Sequence, residues 1–245
     1  MRSLVMAAAL LLFGASAQAD GRPVLVELFT SQGCSSCPAA DSFMEELVRT
    51  DGVVALTYPV DIWDYLGWKD TLAAHEYSVR QQTYAPNLPS RSVYTPQMVI
   101  GGIGDVVGSR RDDALAMIAA HAAKETPSAA IALTASDTAL VVEIAESQRL
   151  LGVEATVTVA RLASRVSVDI GGGENAGRTI VYSNVVRELA PVGAWRGEAL
   201  RLEIPLAGET GQTADRIAVF VQRNGQGPVL GAAIIDLAHA EAAAP

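Results

Sequence analysis

Cys34 and Cys37 are the only two cysteines in the chain, and they stand together as Cys34-Ser35-Ser36-Cys37. A bridge between them would close almost no loop, and the stabilisation of a disulfide grows with the loop it closes. Redox chemistry therefore explains the pair better than stapling does. The attacking species in that chemistry is a thiolate, which needs a neighbourhood that favours negative charge near pH 7. The main competitor is zinc, which would require two further ligands. Only His75, His121 and His239 are available, and none has ligand-like spacing. No metal and no cofactor is expected.

The elements around the pair suit thiol chemistry. Pro23 to Phe29 (PVLVELF) is a short β-rich run followed by the loop Thr30 to Gly33. From Cys34 to about Arg49 the spacing becomes helical, with Phe43, Met44, Leu47 and Val48 on one stripe. Cys34 then stands where a helix begins, where unpaired N–H groups and the helix dipole favour a thiolate. Cys37 lies one turn further in, placed to attack a mixed disulfide on Cys34 and release its partner.

A second strand is expected at Val53–Val60, then an aromatic loop at residues 61–68 and a helix from Asp70 to about Tyr84, stopped at Ala85-Pro86. Gln97–Ile100 reads as a strand that turns at Gly101-Gly102 into another near Ile103–Val107. Ser109 and Asp112 make a capping box for a helix reaching about Lys124. Gly102, Gly104 and Gly108 do not form a dinucleotide fingerprint, because the run continues as a strand instead of opening into a helix. After the linker Glu125-Thr126-Pro127-Ser128 the texture changes to alternating runs at 130–133, 140–144, 155–160, 165–170, 200–204 and 217–221, separated by turns such as Asn224-Gly225. This half is expected to be all β, a sandwich or barrel. The resulting division is residues 20–125 and 126–245, with the redox residues all in the first part, which should fold alone.

Half of the residues are apolar and the formal charge is −9, with no basic run. That argues against nucleic acid or an anionic membrane as partner. Residues 1–19 have a basic start at Arg2, an apolar run from Leu4 to Phe13 and the end Ala17-Gln18-Ala19, the pattern of a signal peptide cleaved near Ala19. No stretch reaches the ~18 apolar residues that a spanning helix needs. The expected location is periplasmic or secreted.

The run Val24–Phe29 leading into Cys34-Ser35-Ser36-Cys37, with Thr95-Pro96 before a strand, resembles the thioredoxin superfamily. The resemblance implies an α/β thioredoxin-like domain in which Pro96 follows a cis peptide bond and, with Thr95, faces the redox pair. It also implies that Glu27 is a buried carboxylate that moves the proton of Cys37; a solvated Glu27 is the competing reading. The strings TSQGCSSCPAAD, VDIWDYLGWKD, VYTPQMVIGG and NVVRELAPVGAWRGE more narrowly resemble the DUF1223 group of secreted proteins. In that pattern a His often occupies the position of Pro59. Asp61, Trp63, Asp64, Trp68 and Lys69 follow the second strand, and Asp61, Trp63 and Trp68 are candidates for a substrate wall, though Trp also serves packing.

These readings converge on an exported thiol-disulfide oxidoreductase acting on protein or small-molecule thiols and disulfides, coupled to a further redox partner. The rival is a binding module on the same fold with a permanently closed Cys34–Cys37 brace. A copper-handling role would need a further His near the Thr95-Pro96 loop, and none is there.

Overall fold

β-Branched and aliphatic residues dominate Val24–Thr30, and this run forms β1, buried along its whole length. A computed structural model of the chain describes residues 22–136, 138–206 and 214–237. The leader-like segment 1–19 and His239 lie outside the described residues. After β1 come α1 (Pro38–Leu47), β2 (Val53–Pro59), α2 (His75–Tyr84), β3 (Gln97–Ile100), β4 (Gly104–Val107) and α3 (Arg111–Ala122). Beyond the linker follow β5 (Ile131–Ala135), β6 (Ala139–Ile144), β7 (Ala155–Asp169), β8 (Thr179–Trp195), β9 (Leu200–Pro205), β10 (Arg216–Arg223) and β11 (Val229–Asp236).

The result is a mixed α/β architecture dominated by one eight-stranded mixed sheet, in the order β11-β10-β7-β8-β2-β1-β3-β4. β1 runs parallel to β2 and antiparallel to β3. Strands from both sides of the linker meet at β2 and β8, through the parallel pair Thr57 and Val185. Side chains strengthen this narrow seam: the Thr57 hydroxyl donates to Ser183 O (2.6 Å) and Asn184 Nδ2 donates to Ala55 O (2.9 Å). Asn184 holds φ 47°, a left-handed conformation that Asn tolerates better than most residues.

The pleat of β1 divides the core. Val24, Val26 and Leu28 pack with Phe43, Met44 and Leu47 of α1 and with Ala114 and Ile118 of α3. Leu25 and Phe29 join a second cluster with Tyr58, Tyr77 and Tyr84, and also with Ala160, Leu162, Val186, Phe220 and Val229 from beyond the linker. The sheet curls until its two ends meet, where Val229 N donates to Gly101 O (2.9 Å). Gly102, at φ 71°, leaves room there; a Cβ would stand 2.6 Å from Gly227 O. A three-stranded sheet, β5-β6-β9, covers the apolar face of β7 and β10 through Leu140, Val142, Ile204, Val157, Val219 and Trp195.

Several local expectations are corrected. α2 starts at His75 rather than Asp70, because the Asp70 carboxylate accepts from Leu72 N (2.9 Å) and Ala73 N (3.1 Å) and forms a turn instead. Ser109 caps nothing: α3 has Arg110 at its N-cap and no side-chain capping bond. The expected strands at 155–160 and 165–170 are one strand, β7. β8 and β11 lie outside the runs singled out from the sequence. In β8, Pro191 and Gly193 interrupt the apolar alternation, and a register shift between Val157 and Thr158 of β7 accommodates them.

Candidate functional site

β1 delivers the Thr30–Gly33 loop to the end of the sheet, and one turn later α1 begins at Pro38 with Cys37 as its N-cap. Cys34 is thus a turn upstream of the helix, closed into it by Cys37 N donating to Cys34 O (3.2 Å). The two sulfurs form a disulfide, with the Cα atoms 5.4 Å apart. Cys37 is fully buried, and Cys34 keeps 7% of its surface. That remaining surface opens into a groove of about 230 Å³ lined by Gly33, Cys34, Ser35, Ser36, Trp63, Leu66, Thr95 and Glu174.

The groove wall opposite the cysteines is the Thr95-Pro96 loop, whose peptide bond is cis. Trp63 Nε1 donates to Thr95 Oγ1 (2.7 Å), joining the aromatic loop to it. Pro96 is buried beside α1: a Cβ on Gly108 would meet Ala40 Cβ at 3.1 Å and Pro96 Cβ at 3.3 Å. Behind the loop, Gln81 Nε2 donates to Tyr94 O and to Gln97 Oε1, both at 2.8 Å.

The floor is built by residues distant in sequence. Gln32 N donates to Asp70 Oδ2 (2.8 Å). Asn175, fully buried in the β7–β8 connection, donates through Nδ2 to both Gln32 O and Cys34 O (2.9 Å each). Its neighbour Glu174 accepts from Ser35 N (3.1 Å). Asp41 stands one helical turn after Cys37, its backbone N–H donating to Cys37 O (3.1 Å), and is 1% exposed. The Thr30 hydroxyl donates to Asp41 Oδ1 (2.7 Å), whereas Oδ2 is buried with no hydrogen-bond partner. Burial, opposed by the Thr30 bond and helped by the charge of Asp70, pushes this carboxyl up to about 8. Burial also raises Asp70, against the three backbone N–H groups that stabilise its charge.

A family model described as a protein of unknown function, DUF1223, matches residues 25–222. The chain belongs to the DUF1223 family. No curated protein matches it. Among solved structures, protein AGR_C_4864 from Agrobacterium tumefaciens is similar at 28% identity and a TM-score of 0.75, over 89% of this chain and 96% of that one. HBP35 of Porphyromonas gingivalis shares the fold, with a TM-score of 0.64 at 14% identity over 93% of this chain and 79% of that one.

The DUF1223 match takes in both halves of the site, the Cys34–Cys37 loop and the β7–β8 connection that holds it. Of the residues singled out from sequence, Cys34, Trp63 and Thr95 line the groove, and Cys37 and Pro96 lie behind it. Glu27 does not join them. It is fully buried, but it shares the sheet face of Leu25 and Phe29 rather than that of α1, and Arg80 Nε (2.7 Å) and the Tyr84 hydroxyl hold its carboxylate. Asp61 is also away from the groove, bonded to His75 Nδ1 (2.9 Å) and the Ser78 hydroxyl. Against the desolvation that would raise it, those bonds hold its carboxyl below the usual range. Trp68 packs under Gly171–Gly173 and donates to Gln32 Oε1 (2.8 Å), so it braces the loop from outside the groove. Among the described residues no three His, Cys, Asp or Glu side chains could share a metal ion.

Sequence reasoning missed Asp41, Asp70, Glu174 and Asn175. Truncating Asn175 leaves Gln32 O without its partner and Cys34 O with only the bond from Cys37 N. Asn175→Ala should therefore cost about 1–3 kcal/mol in a denaturant titration and speed alkylation of the reduced Cys34. An unchanged midpoint would mean that water replaces the Asn175 amide.

Proposed function

We propose that the protein is an exported, thioredoxin-like thiol-disulfide oxidoreductase, with Cys34 as attacking and Cys37 as resolving sulfur. The observation that carries this reading is the asymmetry of the pair: one sulfur opens to a groove and the other is sealed beneath it. The β1-α1-β2-α2-β3-β4-α3 order, with the cis Thr95-Pro96 bond at the groove wall, supports the superfamily resemblance.

In the dithiol form, the Cys34 thiolate attacks one sulfur of a substrate disulfide. A Cys34–substrate disulfide forms and the other substrate sulfur leaves as a thiolate, which takes a proton. Cys37 then attacks Cys34 Sγ, the second substrate thiol is released, and two electrons have passed from the protein to the substrate. A dithiol partner restores the reduced form by the same steps in reverse. Cys37 must lose its proton inside the protein, and Asp41 is the group built for it. It lies at i+4 on the same helix face with one carboxylate oxygen free, and a group near 8 is well matched to a thiol of ordinary acidity near ~8.5. Asp41 thus takes the part expected of Glu27.

The test is a trap. Reduced Cys37→Ser protein mixed with a disulfide-bonded peptide should accumulate a mixed disulfide on Cys34, seen by mass and released by reductant, while Cys34→Ser should not. If neither variant forms an adduct, the bridge is a static brace in a binding module.

A further inference from the structure

Among the described residues, Glu174 is the only charged one lining the groove above Cys34. It is exposed on the β7–β8 connection, and its carboxylate accepts from Ser35 N, on the residue next to the reactive sulfur. The cation on the same connection, Arg178, donates to Asn175 Oδ1 (3.2 Å) and does not line the groove. The other lining side chains are neutral: Trp63 and Leu66 present apolar surface, and Ser35, Ser36 and Thr95 present hydroxyls. Leu66 is 39% exposed and its neighbour Tyr65 is 75% exposed. The whole chain carries a formal charge of −9, so the wider field has the same sign as the groove.

We infer that Glu174 is a specificity-determining residue that selects disulfides with a cationic group beside the reacting sulfur and discriminates against anionic ones. The inference rests on the exchange reading of the same site. An incoming disulfide must bring one sulfur to Cys34 Sγ for in-line attack, so the substituent on that sulfur passes the neighbouring Glu174 carboxylate. An ammonium or guanidinium there is attracted and a carboxylate is repelled. In a polypeptide substrate this means Lys or Arg flanking the cysteine, with an apolar neighbour against Trp63 and Leu66. Selectivity would then come from the β-rich region, which supplies Glu174.

Three small disulfides with the same bond and different charge test this: cationic cystamine, neutral 2-hydroxyethyl disulfide and anionic glutathione disulfide. The protein is first reduced with a dithiol and freed of it, and oxidation of the Cys34/Cys37 dithiol is followed by stopped flow. Each rate is divided by that of the same disulfide with a free monothiol, which removes intrinsic reactivity. The normalised ratio of cystamine to glutathione disulfide should fall roughly three- to tenfold in Glu174→Gln, the range for an exposed charge pair counted with both signs. It should invert in Glu174→Lys and shrink with added salt. Gln keeps an acceptor for Ser35 N, so the comparison isolates charge. A ratio equal in the wild type and both variants would overturn the inference while leaving exchange intact. Failure of the wild type to react even with the neutral disulfide would instead remove the exchange reading, and this inference with it.

Discussion

Asp41→Asn is expected to make the oxidised protein more stable at pH 8 by about 2–5 kcal/mol and, in the reduced protein, to slow release of the mixed disulfide. The sign follows from linkage. The folded protein holds the Asp41 proton up to about pH 8, whereas an unfolded Asp loses it near ~3.9. Between those values the native state binds the extra proton, so wild-type stability is fullest below about pH 4 and is lost as pH rises towards 8. Each unit corresponds to ~1.4 kcal/mol. The unpartnered oxygen of Asp41 becomes an unpartnered amide, which leaves part of that gain unrealised. The new amide still accepts from the Thr30 hydroxyl, so the packing is preserved. Denaturant midpoints from pH 5 to 9 should decline more steeply for the wild type than for the variant, and the curves should converge at low pH. Parallel curves would mean that Asp41 does not titrate in this range. The kinetic arm is separate: attack by Cys37 on a preformed Cys34 mixed disulfide should slow in the variant and keep only the pH dependence of thiol ionisation near ~8.5. A merely structural Asp41 would leave that profile unmoved.

A chain ending at Glu125 is expected to lose its cooperative fold. The cluster around Phe29, Tyr58, Tyr77 and Tyr84 is completed by Ala160, Leu162, Val186, Ala218, Phe220, Val229 and Ala232. Removing those partners returns several large apolar side chains to water at about 1.5–3 kcal/mol each, against a total stability of ~5–15 kcal/mol for a typical domain. β2 would also become an open edge, and the buried Arg80 guanidinium would lose its bond to Gln222 Oε1 (3.0 Å). The readout is a sigmoidal unfolding transition in the wild type and its absence in the shortened chain. A cooperative transition in the shortened chain would establish residues 20–125 as an autonomous unit, as the position of the redox residues led us to expect from the sequence.

The predictions for Asp41 and Asn175 turn on residues whose role the sequence concealed. Asp41 reads as an ordinary acid in the first turn of a helix, where the dipole favours it; in the fold it is buried, bonded to the Thr30 hydroxyl and within the field of the Asp70 charge. Asn175 reads as part of a glycine-rich turn, Gly171-Gly172-Gly173-Glu174-Asn175. Its two bonds span 143 and 141 residues of chain, and no local pattern encodes contacts of that length. Glu27 fails in the opposite way: its burial is legible, but which side of the sheet holds its partner Arg80 is not.

By itself the sequence determined the strand–loop–helix that carries Cys34 and Cys37, the hairpin of β3 and β4, the position of Thr95-Pro96 and the change to β structure after residue 125. These are short-range matters of propensity, periodicity and turn chemistry, each decided within about a dozen residues. Only the tertiary structure decided that β8 pairs with β2 and makes one sheet of both halves, that Asp41 is buried on the helix of Cys37 while Glu27 faces Arg80, and that Glu174 and Asn175 hold the Cys34–Cys37 loop. Those outcomes depend on which buried polar group meets which partner once the sheet has curled, and burial forces such groups to find partners wherever the fold supplies them.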